Sequence, residues 1–421
     1  MSEHISIANS VTDVYRFAWL ITPGEQPVPN VRIAVLNGTI AEIGDVPPDE
    51  RSLIQPLALL PRFVNAHTHL EFSKLDEPIA PANPFPDWIR SVIRYRMAHP
   101  ESGFVSSAIQ TGVVECRRES VALAGEITTS NEGRQAIEAA TADGHLTAAV
   151  SFRELIGFRQ DAIDAQLAIA EASVAISAKA TTNRVCSGLS PHAPYSVHPE
   201  LFESVVDLAI KHEIPVAMHL AETLDEVELL SDRTGRFFEF LTSMNLWADD
   251  TLGRMTSVLP YLQKLAQAKK SLAVHCNYLS DAEIAFAAKH PNVAVVYCPR
   301  THAYFGHSPH PWRKLMNAGA TVVLGTDSKA SNPDLSIWKE LQFICRQPSV
   351  PPIWELLPLI TTTAANALGF PADTCRIQTG LPLAGTTIAC KCDSFSQLNA
   401  TLLSPLAEIS SVPSQGLRPC S

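Results

Sequence analysis

Residues 59–73 read LLPRFVNAHTHLEFS, and the reading of this stretch decides the fold. An apolar run, Leu59, Leu60, Phe63 and Val64, leads into His67-Thr68-His69 and then Glu71. On an extended strand successive side chains alternate faces, so His67 and His69 project together while Thr68 turns away. Two imidazoles at the exit of one rigid strand make half of a divalent-metal site. A lone His-x-His is also common in loops, so its weight rests on whether the chain supplies the other half.

Outward from this strand, short β-type apolar runs alternate with longer helical ones. The runs RFVNAH, GEITT, LTAAVSF, VCSGLSPH, PVAMH, LAVH, VAVVYC and TVVLGTD end at His67, Thr129, Phe152, His192, His219, His275, Cys298 and Asp327. Helix-like stretches such as FPDWIRSVIRYRMAH, PELFESVVDLAIKH and DAEIAFAAKH lie between them. Eight strands alternating with helices predict an α/β fold, a parallel (β/α)8 TIM-like barrel. Histidine or aspartate closes the first, fourth, fifth, sixth and eighth strands. The C-terminal strand ends form the active-site face of such barrels, and histidines scattered at random have no reason to choose that position.

Around the barrel lie two smaller regions. Residues 13–44 read as a β unit, with Asn37-Gly38 as a hairpin turn. Residues 379–395 can return to it as further strands, and the Ser- and Pro-rich remainder reads as a weakly ordered tail. WELLPLITTTAANALG, residues 354–369, reads as one helix after the eighth strand.

Composition bounds the function. Of 421 residues 46% are hydrophobic and 18% charged, which describes a globular chain with a sizeable core. The formal charge of −11, with no Lys/Arg block, argues against nucleic-acid binding. No stretch of about 18 apolar residues predicts a membrane span, and the N-terminus lacks the pattern of a secretory leader. Nine cysteines, scattered and odd in number, do not form a disulfide framework, so a reducing cytoplasm is expected.

Four residues at the predicted rim suit one divalent cation: His67, His69, His219 and Asp327. Zinc is the first expectation, and iron or manganese suits the same ligands. Metal binding lowers the pKa of water to roughly 7 and makes a nucleophile available at neutral pH. Glu222 follows His219 by three residues and falls on the loop beyond the strand, where it can shuttle protons. His275 can orient the nucleophile or stabilise developing charge. Glu71, His192, Arg300, His302, Tyr304 and His307, all near predicted strand ends, are candidate pocket residues.

Taken in order, NAHTHLEF, SPHAPYSV, HLAET, AVHCNYL, YCPRTHAYF and LGTDSKASN resemble the amidohydrolase superfamily. The resemblance spans residues 12–370 and is strongest to the deaminases and chlorohydrolases of amino-heterocycles, including methylthioadenosine/adenosylhomocysteine deaminases. HTHLEFS is specifically similar to aminodeoxyfutalosine deaminases. The resemblance implies a barrel over 59–370 and a β-sandwich built from 1–58 and from 371–421, the latter with the tail. It implies His67, His69, His219 and Asp327 as metal ligands, Glu222 and His275 (with Asp327) as catalytic groups, and Glu71 and His192 as substrate contacts. Strand four ends Ser190-Pro191-His192 with no lysine for a second metal, so one ion is expected.

Two departures accompany it. Gly385 is followed by Thr386-Thr387-Ile388-Ala389 where the family has a lysine and an Ala-Asp pair, so an altered C-terminal half of the sandwich is expected. Thr301-His302 stands where a Ser-Asn pair is usual, so rim contacts to substrate are expected to differ. The function expected is hydrolytic deamination of an adenine-like nucleoside or another small amino-heterocycle. The alternatives are a chlorohydrolase, a cyclic-amide hydrolase, or a barrel that only binds a ligand. A homodimer is expected by resemblance, without an interface legible in the sequence.

Overall fold

The computed structural model describes residues 12–101, 103–177, 184–248 and 251–412. The chain opens with β1 (Thr12–Leu20), β2 (Val28–Leu36) and β3 (Thr39–Asp45), an antiparallel meander. Between β2 and β3, Asn37 and Gly38 have φ of 52° and 80°, the left-handed pair that a two-residue hairpin demands. β4 (Gln55–Pro61) then runs parallel to β1.

Eight strands follow in a second sheet: β5 (Phe63–Thr68), β6 (Val121–Thr128), β7 (Ala148–Leu155), β8 (Val185–Pro191), β9 (Val216–Leu220), β10 (Ser271–His275), β11 (Val293–Tyr297) and β12 (Thr321–Leu324). They pair in chain order, all parallel. The sequence assigns a strand to each of these places. One apolar cluster takes residues from every strand, among them Val64, Leu123, Val150, Cys186, Ala217, Val274, Val296 and Val323, and so marks the barrel interior. Residues of opposite parity, such as Met218 and Ala273, face the surrounding helices.

The outer layer begins with α1 (Phe85–Met97), α2 (Phe104–Arg118), α3 (Asn131–Ala142), α4 (Ile163–Ser177) and α5 (Pro199–Lys211). Between β9 and β10 come α6 (Leu224–Asp232), α7 (Gly235–Ser243) and α8 (Val258–Leu265), where one crossover helix would have sufficed. The single helix expected over 354–369 is broken into Ile353–Leu356, a 3-10 turn Leu357–Ile360 and a helix Thr362–Ala367. Pro358 has no amide to donate, and it falls at the break. The last helix brings Ala364 and Ala365 to the barrel interior cluster.

The C-terminal region departs from expectation. β13 (Gly385–Ala389) pairs antiparallel with β4, and β14 (Ile409–Val412) with β13, which completes a sheet of order β14-β13-β4-β1-β2-β3. The altered motif therefore forms a regular strand. A Cβ on Gly385 would lie 2.8 Å from the Leu60 carbonyl oxygen, so only glycine permits this approach. The pairings make one continuous sheet rather than two. Val412 from one edge, Ile40 from the other, and Ile33 and Leu59 between them share one cluster, so the sheet curls around its own small core. The expected weak tail contains a helix, Phe395–Leu403, and the edge strand β14. Residues 413–421 of that tail and 1–11 at the N-terminus lie outside the described residues. Among the described residues, no helix is long and apolar enough to cross a membrane.

The barrel closes where its first and last strands meet. The amides of Thr326 and Asp327 both donate to the His67 carbonyl at 3.1 Å. Asn65 Nδ2 donates to Thr326 Oγ1 (2.7 Å), and Thr68 Oγ1 donates to the Asp327 carbonyl (3.1 Å). A Cβ on Gly325 would lie 2.9 Å from both the Cβ and the carbonyl oxygen of His67. Gly325→Ala is expected to lower the free energy of unfolding by about 1–3 kcal/mol through overpacking. Thermal denaturation measures this, and an unchanged midpoint would mean that the seam is loosely packed.

Candidate active site

The histidine pair reaches the barrel axis through a local irregularity. Ala66 belongs to the interior cluster, so a regular strand would turn its neighbour His67 outward. The β5–β6 register steps from Asn65↔Ala124 to Thr68↔Glu126, three residues against two, and this bulge re-aims the strand end. Immediately after His69, the Leu70 amide donates to both oxygens of the buried Glu126, at 3.0 and 3.2 Å. His219 and His192 reach the axis by ordinary alternation, in step with Ala217 and Cys186.

His275 uses another device. It stands opposite Leu220 in the register, on the outer parity, yet its φ of 70° turns the imidazole back inward. Ala221, Cys276 and Asp327 also hold positive φ, at 51°, 53° and 57°. Such non-glycine conformations cost roughly 1–3 kcal/mol each and persist where surrounding bonds over-determine them. Here the Cys276 and Asn277 amides donate to the carbonyls of Leu220 and Ala221, each at 2.9 Å.

Donor atoms of His67, His69 and His219 lie within 4.8 Å of one another, all on buried side chains. His69 Nε2 and His219 Nε2 are 3.2 Å apart. Asp327 Oδ1 is 3.8 Å from His67 Nε2 and 3.7 Å from His69 Nε2. Atoms bound tetrahedrally to one zinc ion lie roughly 3.3–3.6 Å apart, so this spacing fits a single cation. His67 supplies a second test, because both its ring nitrogens are buried without a hydrogen-bond partner. A buried polar atom left this way is costly unless something binds its lone pair. His219 Nδ1 faces the His192 carbonyl at 3.0 Å, which places its proton there and leaves Nε2 as the free donor.

Electrostatics agrees with that fit. Burial, reinforced by neighbouring imidazoles, holds His67 and His69 well below the ordinary histidine range. It brings His219 down to about 4 and His192 to about 3, so both rings are neutral, the ligating form. Burial pushes the Asp327 carboxyl up to about 7 against the opposing bond from Ser331 Oγ at 3.0 Å. A divalent cation favours the carboxylate in return.

Glu222 sits on the bend between β9 and α6. The amides of Ala221 and Glu222 donate to Glu226 at 2.7 and 3.2 Å, and Asn277 Nδ2 donates to the Glu222 carbonyl at 2.8 Å. Its Oε1 is 3.5 Å from His275 Nε2. Burial, with Asp327 and Glu226 nearby, raises its carboxyl well above the ordinary range, favouring the protonated acid. These groups open onto a cavity of about 390 Å³ with His69, His192, His219, Glu222, His275 and Asp327 at its base. Trp88 and Ile93 of α1, Phe240 of α7, and Ile156 and Phe158 after β7 make its walls apolar.

Several expected contacts lie elsewhere. Glu71 does not line the cavity, because it accepts from the Thr129 amide (2.9 Å) and hydroxyl (2.7 Å). Arg300 turns away into a buried clamp, with Nε 2.7 Å from Glu340 and Nη2 2.8 Å from Asp334. His302 Nε2 faces the Ser308 carbonyl at 2.8 Å. Tyr304 donates to the Ile79 carbonyl at 2.6 Å, and His307 bonds Tyr278 at 3.0 Å. Of the pocket candidates read from the sequence, His192 alone lines the cavity. Arg96 and Glu154 line it and escaped the sequence reading. Their signals were present: Trp88, Ile89, Val92, Ile93 and Arg96 form one helical stripe, and Glu154 shares the parity of Phe152.

A parallel barrel with imidazoles and carboxyls gathered at its C-terminal rim defines the class of metal-dependent barrel hydrolases. The amidohydrolase family model matches residues 58–382, and the chain belongs to the amidohydrolase family. A 5'-deoxyadenosine deaminase of Methanocaldococcus jannaschii is 25% identical over 82% of this chain and 79% of its own. A 5-methylthioadenosine/S-adenosylhomocysteine deaminase of Pyrococcus furiosus is 26% identical over 80% and 77%. Among solved structures, Helicobacter pylori aminofutalosine deaminase with methylthio-coformycin has a TM-score of 0.75 at 22% identity, covering 93% and 95% of the two chains. An adenosine deaminase of Xanthomonas campestris with bound zinc has 0.74 at 22%, covering 94% and 89%. An atrazine chlorohydrolase of Arthrobacter aurescens TC1 has 0.73 at 17%, covering 94% and 92%.

Arg300 is expected to act on stability rather than on substrate affinity. Glu340 is fully buried, so Arg300→Ala strands a carboxylate and should cost about 3–5 kcal/mol. Chemical denaturation measures the loss, and a stable variant with a raised KM would instead return Arg300 to the substrate.

Proposed function

We propose that the chain is a metal-dependent hydrolytic deaminase of an adenine-like nucleoside, releasing ammonia from the amino-bearing ring carbon. One observation carries the reading: neutral imidazoles and two buried carboxyls gather at the base of an apolar cavity large enough for a flat heterocycle. Relatives named as deaminases of 5'-deoxyadenosine and 5-methylthioadenosine support it. In this reading His67, His69, His219 and Asp327 hold one ion. Zinc suits the nitrogen and oxygen donors, and when bound it supplies a water activated for attack at neutral pH.

The remaining chemistry belongs to the chain. Glu222, with its carboxyl raised by burial, holds a proton at the cavity base and gives it to a ring nitrogen. The resulting carboxylate takes a proton from the attacking water, passes it to the departing amine, and recovers the second water proton as the new hydroxyl becomes the product carbonyl. His275, kept neutral by burial, places Nε2 3.5 Å from Glu222 Oε1 and stabilises charge developing at the attacked carbon. Apolar walls exclude bulk water and strengthen each of these interactions.

The same proposal includes the curled terminal sheet as the counterpart of a two-layer sandwich, with 59–370 as the barrel unit and the two ends as the appended one. A cytoplasmic location belongs to the same proposal, since nine cysteines scattered through the chain do not read as a disulfide framework. A homodimer completes the proposal, and size-exclusion chromatography with light scattering tests it.

Ammonia release from aminopurine nucleosides, measured beside chloride release from chlorotriazines and ring opening of cyclic amides, separates the chemistries. Glu222→Gln should retain one equivalent of divalent metal and lose about 100- to 10,000-fold in kcat. Metal analysis and single-turnover ammonia assays check both parts, and normal turnover would remove Glu222 from the proton path. Metal-free wild-type protein with unchanged turnover would overturn the metal assignment.

A further inference from the structure

Two polar side chains on the cavity wall have no part in the chemistry above. Glu154, near the end of β7, is 6% exposed, and neither carboxylate oxygen accepts a hydrogen bond from a described residue. Two groups face it just beyond bonding distance: the His192 ring, with Nε2 3.9 Å from Oε1, and the donor Arg96 Nη1, 3.8 Å from Oε2. His192 Nδ1 is engaged by Ser196 Oγ at 2.6 Å, so the ring is fixed with Nε2 toward Glu154. Arg96 lies in the last turn of α1, its guanidinium 5.0 Å over the Phe72 ring and 3.8 Å from Glu71 Oε2. Its Nε is buried without a partner.

A carboxylate with free acceptors on both oxygens, set against unsatisfied donors in a concave site, is built for a ligand that both donates and accepts. We infer that Glu154 and Arg96 form a clamp for the vicinal diol of a ribose, which rests on the nucleoside reading above. Glu154 accepts from the two neighbouring hydroxyls, one on each oxygen, and Arg96 donates to the oxygen of one of them. Glu71, expected as a substrate contact, is not free for this part, because Thr129 already occupies it.

Two other occupants fit less well. An anionic tail finds Arg96 flanked by Glu71 and Glu154 on opposite sides, its charge already matched. A second metal ion could use Glu154, His192 and His219, whose donor atoms lie within 4.8 Å of one another. There it would share Glu154 with the Arg96 guanidinium, whose Nη1 is 3.8 Å from Glu154 Oε2, and would meet a His219 Nδ1 committed to the His192 carbonyl.

The test compares adenosine, 2'-deoxyadenosine and 3'-deoxyadenosine as substrates of the metal-loaded wild type and of Glu154→Gln. Each missing hydroxyl should cost the wild type about 10- to 100-fold in kcat/KM, the loss for one hydrogen bond to a charged group. Glu154→Gln should lose most on adenosine and much less on the deoxy analogues, so the three rates converge. Arg96→Lys, which keeps the charge and loses the fork, should narrow the same ratio with a smaller effect. Equal wild-type rates on all three substrates, an equal slowing of all three by Glu154→Gln, or two metal equivalents per chain would each overturn the clamp and leave the deaminase reading intact. No ammonia from any adenine nucleoside would remove both.

Discussion

Desolvation is the constraint under which this site is built. Histidines 67, 69, 219 and 275 and the carboxyls of Glu222 and Asp327 are removed from water together at the floor of an apolar cavity. Burial drives the imidazoles toward their neutral forms and the carboxyls toward their protonated forms. Neutral rings are ligands, and a protonated glutamic acid is a proton donor. The same low-dielectric environment therefore prepares both halves of the chemistry without an assigned counter-charge for each group.

Holding such a cluster in place takes further buried polar groups, and these are acids that anchor backbone rather than act on substrate. Glu126 receives the amide that follows His69, and Glu226 receives the amides of Ala221 and Glu222. Glu340 holds both the Arg300 amide and its guanidinium. His310 donates to the His275 carbonyl at 2.8 Å. Glu126, Glu226 and His310 fix the main chain beside His69, Glu222 and His275, and the last two support the left-handed conformations at Ala221 and His275.

The barrel was legible because parallel strands buried on both faces have to be apolar and brief, and five of the eight ended in a histidine or an aspartate, residue types foreign to a core. The ligand and proton-transfer candidates were legible for the same reason. What escaped was direction. Arg300 and His302 lie near a strand end, as expected, yet nearness does not say which way a long side chain turns, and both found partners away from the cavity. Glu71 was read as a rim residue, and Thr129, at the end of the neighbouring strand β6, claimed it. Glu154 was hidden inside SFRELIG, where one acid among apolar neighbours gives no metal or motif spacing. The edge strand β14 had no periodicity to display in four residues, and its order comes from pairing with β13.

The seam between β5 and β12 has a consequence for biogenesis. His67 lies on the first strand of the barrel and Asp327 just past the end of the last, and the carbonyl of His67 accepts the amide of Asp327. In the proposed reading, the cation pocket and the completed cylinder form together, from residues separated along the chain by nearly the whole barrel. A ribosome-bound chain that has emerged only through its first histidine pair owns two imidazoles on one tripeptide, not a binding cage. In the proposed reading, loading with one metal ion waits until translation has passed the eighth strand.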